Sequence, residues 1–361
     1  MNKFRKFTTV ILIISIILPS VINYRSLITQ TSYSLEKCIK EIIPSLYGSM
    51  IIACIVTESN LHRLIGKVFS PVSRFIFKMP SEIFSVFILS NISGYPVGAK
   101  LLQTLRTNNN ITDKQLKRYC CICFSAGPAF VSGAAVCRIY GSENISMIIF
   151  LSTTLANLIL AFFCGIKSEI PEKPVYQEKQ KPFTQIIVNS VSNASSGMFQ
   201  MCTMIVAFSV FKVFLTSTGA IEILSGVISK LSNFSENDCF TLILSFFEIT
   251  NISSLATCDP DIISAMSAIF ATGGICVVLQ IFSILRSGAD ICMFLKYRAI
   301  ASILSFIISR ILCGIFLKDI AVTASTIKIY SESNSVLPSY LLIIMTVMLI
   351  GFSVKKSDRS L

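Results

Sequence analysis

The sequence predicts an all-α polytopic membrane protein. Of its 361 residues, 53% are hydrophobic and only 14% are charged, and the mean hydropathy is +0.73. Soluble domains carry about 25% charged residues. Apolar stretches recur along the whole chain, and a helix of about 20 apolar residues is long enough to cross a bilayer. We therefore expect several membrane-spanning helices in contact with lipid.

The formal net charge of +12 comes from short clusters of Lys and Arg between the apolar stretches. Such clusters are typical of segments that flank a membrane, so nucleic-acid binding is not expected. Most of the thirteen cysteines stand inside apolar stretches, where Cys behaves as a small hydrophobe. The run Cys120-Cys121-Ile122-Cys123 lacks the histidine or second pair of a zinc site. We expect no metal, no cofactor and no enzymatic activity, because the chain also lacks hydrolase, metalloprotease and nucleotide-binding motifs.

The apolar stretches divide the chain into two comparable halves. They lie near 8–23, 42–58, 83–94, 120–138, 145–166, 186–216, 238–252, 262–285, 299–317 and 338–353. The first follows a basic start and is either an uncleaved membrane helix or a signal peptide; the lack of a small-residue cleavage site favours the helix. Two amphipathic pieces, 61–79 and 220–234, fit helices lying in the membrane interface.

A polar linker separates the halves. We delimit an N-terminal membrane helix and external loop (1–39), a first repeat (40–166), a cytoplasmic linker (167–184), a second repeat (185–318) and a C-terminal membrane helix with a basic tail (319–361).

Two short motifs recur in the same order in the two halves, which indicates a duplication. The tetrad Ser90-Asn91-Ile92-Ser93 is matched by Thr250-Asn251-Ile252-Ser253, and the small-residue segment 124–128 is echoed by 270–274. The amphipathic piece of the first half carries four Lys or Arg residues, whereas that of the second carries only Lys230. Basic residues favour the cytoplasmic side, so we predict an inverted-topology repeat with both chain termini in the cytoplasm.

The tetrads end short apolar runs, and Gly94, Pro96 and Gly98 follow the first of them. Irregular backbone at membrane depth is tolerated only where protein shelters it or where it lines an aqueous cavity. We therefore predict two re-entrant helical hairpins that hold a solute. The alternative is that the glycines only allow helices to approach closely and that the serines bond back to their own helix. The predicted solute-binding residues are Ser90, Asn91, Ser93, Gly94, Pro96, Gly98, Ser125, Gly127, Pro128, Thr250, Asn251, Ser253, Thr272, Gly273, Gly274 and Gln280.

Glu248 is an acid inside an apolar stretch, which marks it as a functional candidate. We expect it to bind a coupling cation, H⁺ or Na⁺; the alternative is a structural hydrogen bond that pins the hairpin.

The segments SGYPVGAKL, FSAGPAFVSG, FEITNISSL and GGICVVLQIFSIL resemble the nucleoside-recognition (Gate) domain family over roughly 40–318, most closely its sporulation integral membrane protein branch. The chain departs from the family pattern at Ser125, where the family carries Asn, and lacks a glycine near Ile252 or Ser253. The resemblance implies a fold similar to concentrative nucleoside transporters. It also implies a role in moving dipicolinic acid across a forespore membrane of an endospore-forming bacterium.

The function predicted is a membrane transporter or facilitator for a small, planar, anionic solute. Half-helix N-termini favour anions, and Lys100, one helical turn beyond Pro96, raises their local concentration. A nucleoside or nucleobase transporter and a non-transporting sporulation scaffold are the alternatives. A scaffold would be supported by large soluble loops, which the sequence does not contain. The oligomeric state is left open.

Overall fold

The computed structural model describes residues 23–107, 110–136, 143–166, 182–232, 234–255, 257, 259–285 and 289–317. Within these ranges all regular structure is helical and no strand is present, as the sequence predicts. The α-helices are α1 (Tyr24–Glu58), α2 (Leu61–Val68), α3 (Ser70–Phe75), α4 (Ser81–Ser93), α5 (Val97–Thr107), α6 (Asp113–Tyr119), α7 (Glu143–Ile166), α8 (Phe183–Ser217), α9 (Ala220–Leu231), α10 (Glu236–Phe247), α11 (Pro260–Thr272), α12 (Gly274–Leu285) and α13 (Ile291–Phe316).

Among the described residues, five helical segments are long and apolar enough to cross a membrane: α1, α7, α8, the α11–α12 segment and α13. The prediction of a multi-pass helical membrane protein is confirmed at this level. The predicted first and last membrane helices, and linker residues 167–181, lie outside the described residues.

Helix α1 begins earlier than the sequence suggests. We predicted an external loop up to residue 39, but the chain is helical from Tyr24, with a π-helical segment at Cys38–Ile42. No Gly or Pro interrupts residues 24–43, so nothing in the local sequence breaks the helix. These residues include too many polar side chains to be recognised as an apolar stretch in the sequence, yet they pack against α8. Tertiary packing therefore sets the start of this helix.

Both amphipathic pieces are helical. The first forms α2 and α3, and α2 packs against α4; the second forms α9, which packs against α10. Each half thus contains a long helix, a short helix packed on the next one, and then a break in the backbone. Large apolar side chains on the short helices face outward, among them Leu64, Phe75, Ile223 and Leu231.

In the described part of the chain, four of the helix interruptions bear on the predicted site. Gly94 ends α4 with φ +77°, a left-handed conformation that glycine adopts at little cost. Residues 120–127 form an irregular segment between α6 and a π-helical segment at Phe130–Val136, and Glu248 separates α10 from a 3₁₀ helix at Ile249–Ser254. Gly273 and Gly274, also left-handed, separate α11 from α12.

Helices α7, α11 and α13 pack together as one bundle. Ser152 of α7 donates to Ser267 of α11 at 3.1 Å, and Ser267 donates to Ser309 of α13 at 3.0 Å. All three serines are buried. Small hydroxyl residues let membrane helices approach closely and join them by hydrogen bonds.

Candidate functional site

The break at Gly94 lies directly against the irregular segment 120–127. A Cβ atom on Gly94 would lie 2.7 Å from the amide nitrogen of Gly127, and one on Gly127 would lie 2.8 Å from the nitrogen of Gly94. The backbone N–H of Tyr95 donates to the carbonyl oxygen of Ser125 at 2.8 Å. Two predicted site segments, well separated in sequence, therefore meet backbone to backbone.

Arg298 joins this segment to the break in the second half. Its guanidinium is 2% exposed and donates to the carbonyl oxygens of Phe124 (3.1 Å), Ala271 (3.3 Å) and Cys121. It also donates to the side-chain oxygen of Asn157 at 3.1 Å. A buried arginine is tolerated when most of its donors are satisfied; both terminal nitrogens of Arg298 have acceptors, whereas its Nε has none among the described residues. The terminal nitrogens bind backbone oxygens that the broken helices leave without helical partners.

The first tetrad mostly bonds within its own helix. The Ser90 hydroxyl and the Asn91 amide both donate to the carbonyl oxygen of Phe87 at 2.8 Å. The Asn91 oxygen faces the Asn157 amide at 3.5 Å. The sequence left two roles open for these side chains, binding a solute or bonding back to their own helix. In this conformation Ser90 and Asn91 bond back to their own helix.

The second tetrad is organised by Glu248. Its carboxylate accepts hydrogen bonds from the Thr250 N–H (2.9 Å), the Thr250 hydroxyl (2.6 Å) and the Asn251 amide (3.2 Å). The carboxylate therefore caps the 3₁₀ helix that begins at Ile249. These hydrogen bonds match the alternative role considered for Glu248, a structural bond that pins the hairpin. The residue is buried, with 7% of its surface exposed.

Two lysines, which the sequence analysis did not single out, contact the same tetrad. Lys37 of α1 donates to the carbonyl oxygen of Thr250 and to the Ser253 hydroxyl (2.6 Å). Lys212 of α8 donates to the side-chain oxygen of Asn251 at 3.2 Å. Lys212 stands inside the apolar stretch 186–216. An ionisable residue in such a stretch is a functional candidate, so Lys212 could have been identified from the sequence in the same way as Glu248.

A cavity lies where the breaks converge. It is lined by Leu46, Gly94, Tyr95, Gly127, Phe130, Met201, Ile205, Glu248, Ile249, Thr250, Cys276, Val277 and Gln280. Five predicted site residues are therefore in its wall: Gly94, Gly127, Glu248, Thr250 and Gln280. In this conformation the side chains leave room for about one water molecule.

Two buried polar atoms of the cavity wall have no hydrogen-bond partner among the described residues. They are the hydroxyl of Tyr95 and the side-chain oxygen of Gln280. The Gln280 amide makes only a long contact, 3.5 Å, with the sulfur of Cys276. Buried polar groups without partners are rare in folded proteins and call for an explanation. Tyr95, which stands between predicted site residues Gly94 and Pro96, was overlooked.

The other predicted residues do not line this cavity. Asn251 lines a second, adjoining cavity. Gly273 packs under the ring of Phe124, and the Thr272 hydroxyl donates to its own helix at Ile269. Neither cavity is lined by the remaining predicted residues, Ser90, Asn91, Ser93, Pro96, Gly98, Ser125, Pro128, Ser253, Thr272, Gly273 and Gly274.

The chain is 23% identical over 305 residues to the sporulation integral membrane protein YlbJ of Bacillus subtilis (strain 168). The match covers 76% of this chain and 72% of that protein. No protein family matches the chain, so the Gate-domain resemblance gains no support from that comparison. No solved structure matches it either. The chain is thus a membrane protein related to a sporulation integral membrane protein.

Proposed function

We propose that this protein carries a small, planar, anionic solute across a membrane. The observation that carries the proposal is the cavity at the converging breaks, whose wall holds two buried polar atoms without partners. In a membrane protein, non-helical backbone is expected where it lines a solute or water cavity. Most of the wall is apolar, but Glu248, Thr250 and Gln280 also line it, whereas a cavity left only by packing would be lined by apolar groups alone.

The charge beside the cavity favours an anion. Lys37 and Lys212 reach the second tetrad from two different helices, and Glu248 is the carboxylate that lies among them. The rings of Tyr95 and Phe130 line the cavity with their centroids 6.1 Å apart, and Phe124 stacks on Tyr95 at 4.9 Å. Aromatic faces suit a flat ring, and the Tyr95 hydroxyl and the Gln280 amide supply neutral hydrogen-bonding groups.

Dipicolinic acid, a pyridine ring with two carboxylates, meets these requirements. Its assignment also draws on the Gate-family resemblance and on the similarity to a sporulation membrane protein. We accordingly propose a location in a forespore membrane of a spore-forming bacterium and two inverted repeats similar to concentrative nucleoside transporters. The shared order of long helix, short helix, packed helix and break in each half supports the repeat.

The solute enters only if the cavity widens, because the side chains now leave too little space for a ring. Movement of the hairpins relative to α1 and α8, which line the opposite wall, would expose the site to one side at a time. A role for Glu248 in binding H⁺ or Na⁺ remains part of the proposal. Protonation of its carboxylate would weaken the three hydrogen bonds that hold the tetrad.

A nucleoside or nucleobase is the second candidate. The unpartnered Tyr95 hydroxyl and Gln280 oxygen would suit an uncharged heterocycle as well as a pyridine ring. A scaffold without transport would leave these buried groups unexplained.

Transport by purified protein in liposomes tests the proposal. Labelled dipicolinate and labelled nucleosides are offered separately under imposed proton and Na⁺ gradients. We expect saturable dipicolinate uptake that related pyridine carboxylates inhibit, with no uptake by empty liposomes. Saturable nucleoside uptake without dipicolinate flux would favour the second candidate, and no uptake of either solute would favour a scaffold.

A further inference from the structure

The second cavity lies between α1, α8 and the second tetrad. It is lined by Tyr33, Ser34, Lys37, Ile205, Phe208, Ser209, Lys212, Glu248, Thr250 and Asn251. Ile205, Glu248 and Thr250 belong to both cavities, so the two adjoin. The charged end of a solute in the first cavity would therefore point toward the two lysines.

The two ammonium groups have unused donors. An ammonium carries three N–H groups. Lys37 uses two of them, on Thr250 and Ser253, and Lys212 uses one, on Asn251. Within the described part of the chain, one N–H of Lys37 and two of Lys212 therefore have no oxygen acceptor, although the Lys37 ammonium lies 5.9 Å from the centroid of the Tyr33 ring.

The cavity wall also has a surplus of positive charge. Glu248 directs its hydrogen bonds to Thr250 and Asn251, and no ion pair within 4 Å joins it to either lysine in the described residues. Glu41, on the same helix, also interacts electrostatically with Lys37 but is not part of the wall. Among the residues that line the cavity, two cations thus face one carboxylate, and charge is costly to bury without compensation.

We propose that Lys37 and Lys212 form a clamp for the two carboxylates of the solute, each ammonium binding one of them. The inference rests on the proposed transport function and names the groups that give it selectivity. A dicarboxylate would supply the missing acceptors and reverse the surplus charge, whereas a monocarboxylate would satisfy one lysine and an uncharged solute neither. Lys37 immediately precedes the π-helical segment of α1. Such segments alter the direction of nearby side chains and are frequent at functional sites.

Selectivity between two related solutes tests the clamp. Equilibrium binding of labelled pyridine-2,6-dicarboxylate and pyridine-2-carboxylate is measured on the purified full-length protein and on Lys37→Gln, Lys212→Gln and Lys212→Arg. Loss of one charged hydrogen-bonding partner should weaken dicarboxylate binding about ten- to a hundredfold. Because the monocarboxylate needs only one lysine, its affinity should change much less, and the preference for the dicarboxylate should nearly disappear. Lys212→Arg should retain most of that preference.

Lys40→Gln is the control on the same helix as Lys37. Lys40 pairs with Glu36 at 2.7 Å and lines neither cavity, so this variant should bind both pyridine acids as the wild type does. A general loss of structure in Lys37→Gln or Lys212→Gln would instead weaken the binding of both solutes equally. If the wild-type protein binds the dicarboxylate and the glutamine variants keep its preference, the clamp is wrong and the transport proposal stands. If the wild type binds nucleosides alone, both proposals fail.

If Lys37→Gln and Lys212→Gln do not fold, the affinities of the wild type still test the clamp. An equal affinity of the wild type for the two pyridine acids overturns the clamp, and a strong preference for the dicarboxylate upholds it.

Discussion

Asn157 and Arg298 share one acceptor, the carbonyl oxygen of Phe124. The Asn157 amide reaches it at 3.0 Å and the guanidinium at 3.1 Å, and Arg298 also donates to the side-chain oxygen of Asn157. The two side chains come from α7 and α13, and the oxygen they bind belongs to the irregular segment 120–127. The non-helical backbone at the centre of the protein is therefore supported by side chains from two membrane-spanning helices.

Arg298→Met should strongly destabilise the protein. The substitution removes the donor to the carbonyl oxygens of Cys121 and Ala271 and to the side-chain oxygen of Asn157, whereas the oxygen of Phe124 keeps the Asn157 amide. Each buried acceptor left unsatisfied costs about 1–3 kcal/mol. Thermal unfolding in detergent, followed by size-exclusion chromatography, measures the effect. Arg310→Met is the control on the same helix, because its ion pair with Asp261 is half exposed and contributes at most about 1 kcal/mol. Equal melting temperatures for the two variants would contradict the role assigned to Arg298.

Gly94→Ala and Gly127→Ala should each disrupt the contact between their segments. The added Cβ would lie within 2.8 Å of backbone in both cases, and Gly94 has a positive φ as well. Overpacking of this kind costs about 1–3 kcal/mol and displaces the backbone. We expect lower melting temperatures and loss of solute binding. Gly48→Ala and Gly314→Ala, where a Cβ meets nothing within 4 Å, should leave both unchanged. Tolerance of alanine at both Gly94 and Gly127 would show that the two backbones need not touch.

Tyr95→Phe should separate function from stability. The Tyr95 hydroxyl makes no hydrogen bond to a described residue, so its removal should leave the melting temperature unchanged or raise it while solute affinity falls. Tyr47→Phe should do the reverse, because the Tyr47 hydroxyl lies 2.7 Å from the Ser195 hydroxyl outside the cavity wall. Its loss should cost about 1 kcal/mol and spare binding. Unaltered solute binding by Tyr95→Phe would remove this hydroxyl from the site.

Glu248→Gln should abolish accumulation driven by an ion gradient and retain slower solute exchange. The glutamine amide cannot gain or lose a proton as the Glu248 carboxylate can. Its NH₂ group also places a donor where one carboxylate oxygen now accepts hydrogen bonds from the tetrad. Counterflow and gradient-driven uptake in liposomes distinguish the two activities. Glu236→Gln, at an exposed position on the preceding helix, is the control. If gradient-driven uptake by Glu248→Gln matches that of the wild type, the acid is a structural cap and carries no coupling ion.

The inverted repeat predicts that Val72 and Ser235 face opposite sides of the membrane, because segment 61–79 carries four basic residues and segment 220–234 carries only Lys230. Single cysteines at these positions, in a background without native cysteines, should differ in labelling by an impermeant reagent. Ser235 should label from outside and Val72 should not. Both positions are accessible in the folded chain, so labelling from a common side would exclude the inverted arrangement.

The main helices and the breaks could be predicted because length, apolar content and helix-breaking residues are local properties. Glycine at 94, 273 and 274 indicated the breaks directly. The polar first part of α1 was not predicted, since its helix depends on packing against α8. Arg298 is close to Lys296 in sequence and therefore resembled a membrane-flanking cluster; only the fold shows that it is buried. The lysines at the second tetrad could not be paired with it from sequence, because they approach it from distant helices.

The hydroxyl chain from Ser152 through Ser267 to Ser309 fixes the register of three helices. A slide of any one of them by a single residue would rotate its serine by about 100° and remove the hydrogen bond. At an intermediate position the Ser152 hydroxyl would keep only the carbonyl oxygen of Ile149 in its own helix, so the bonds between the helices oppose sliding. Helices α7, α11 and α13 are therefore suited to act as the stationary frame of the protein, against which the cavity-lining segments would move in the proposed transport.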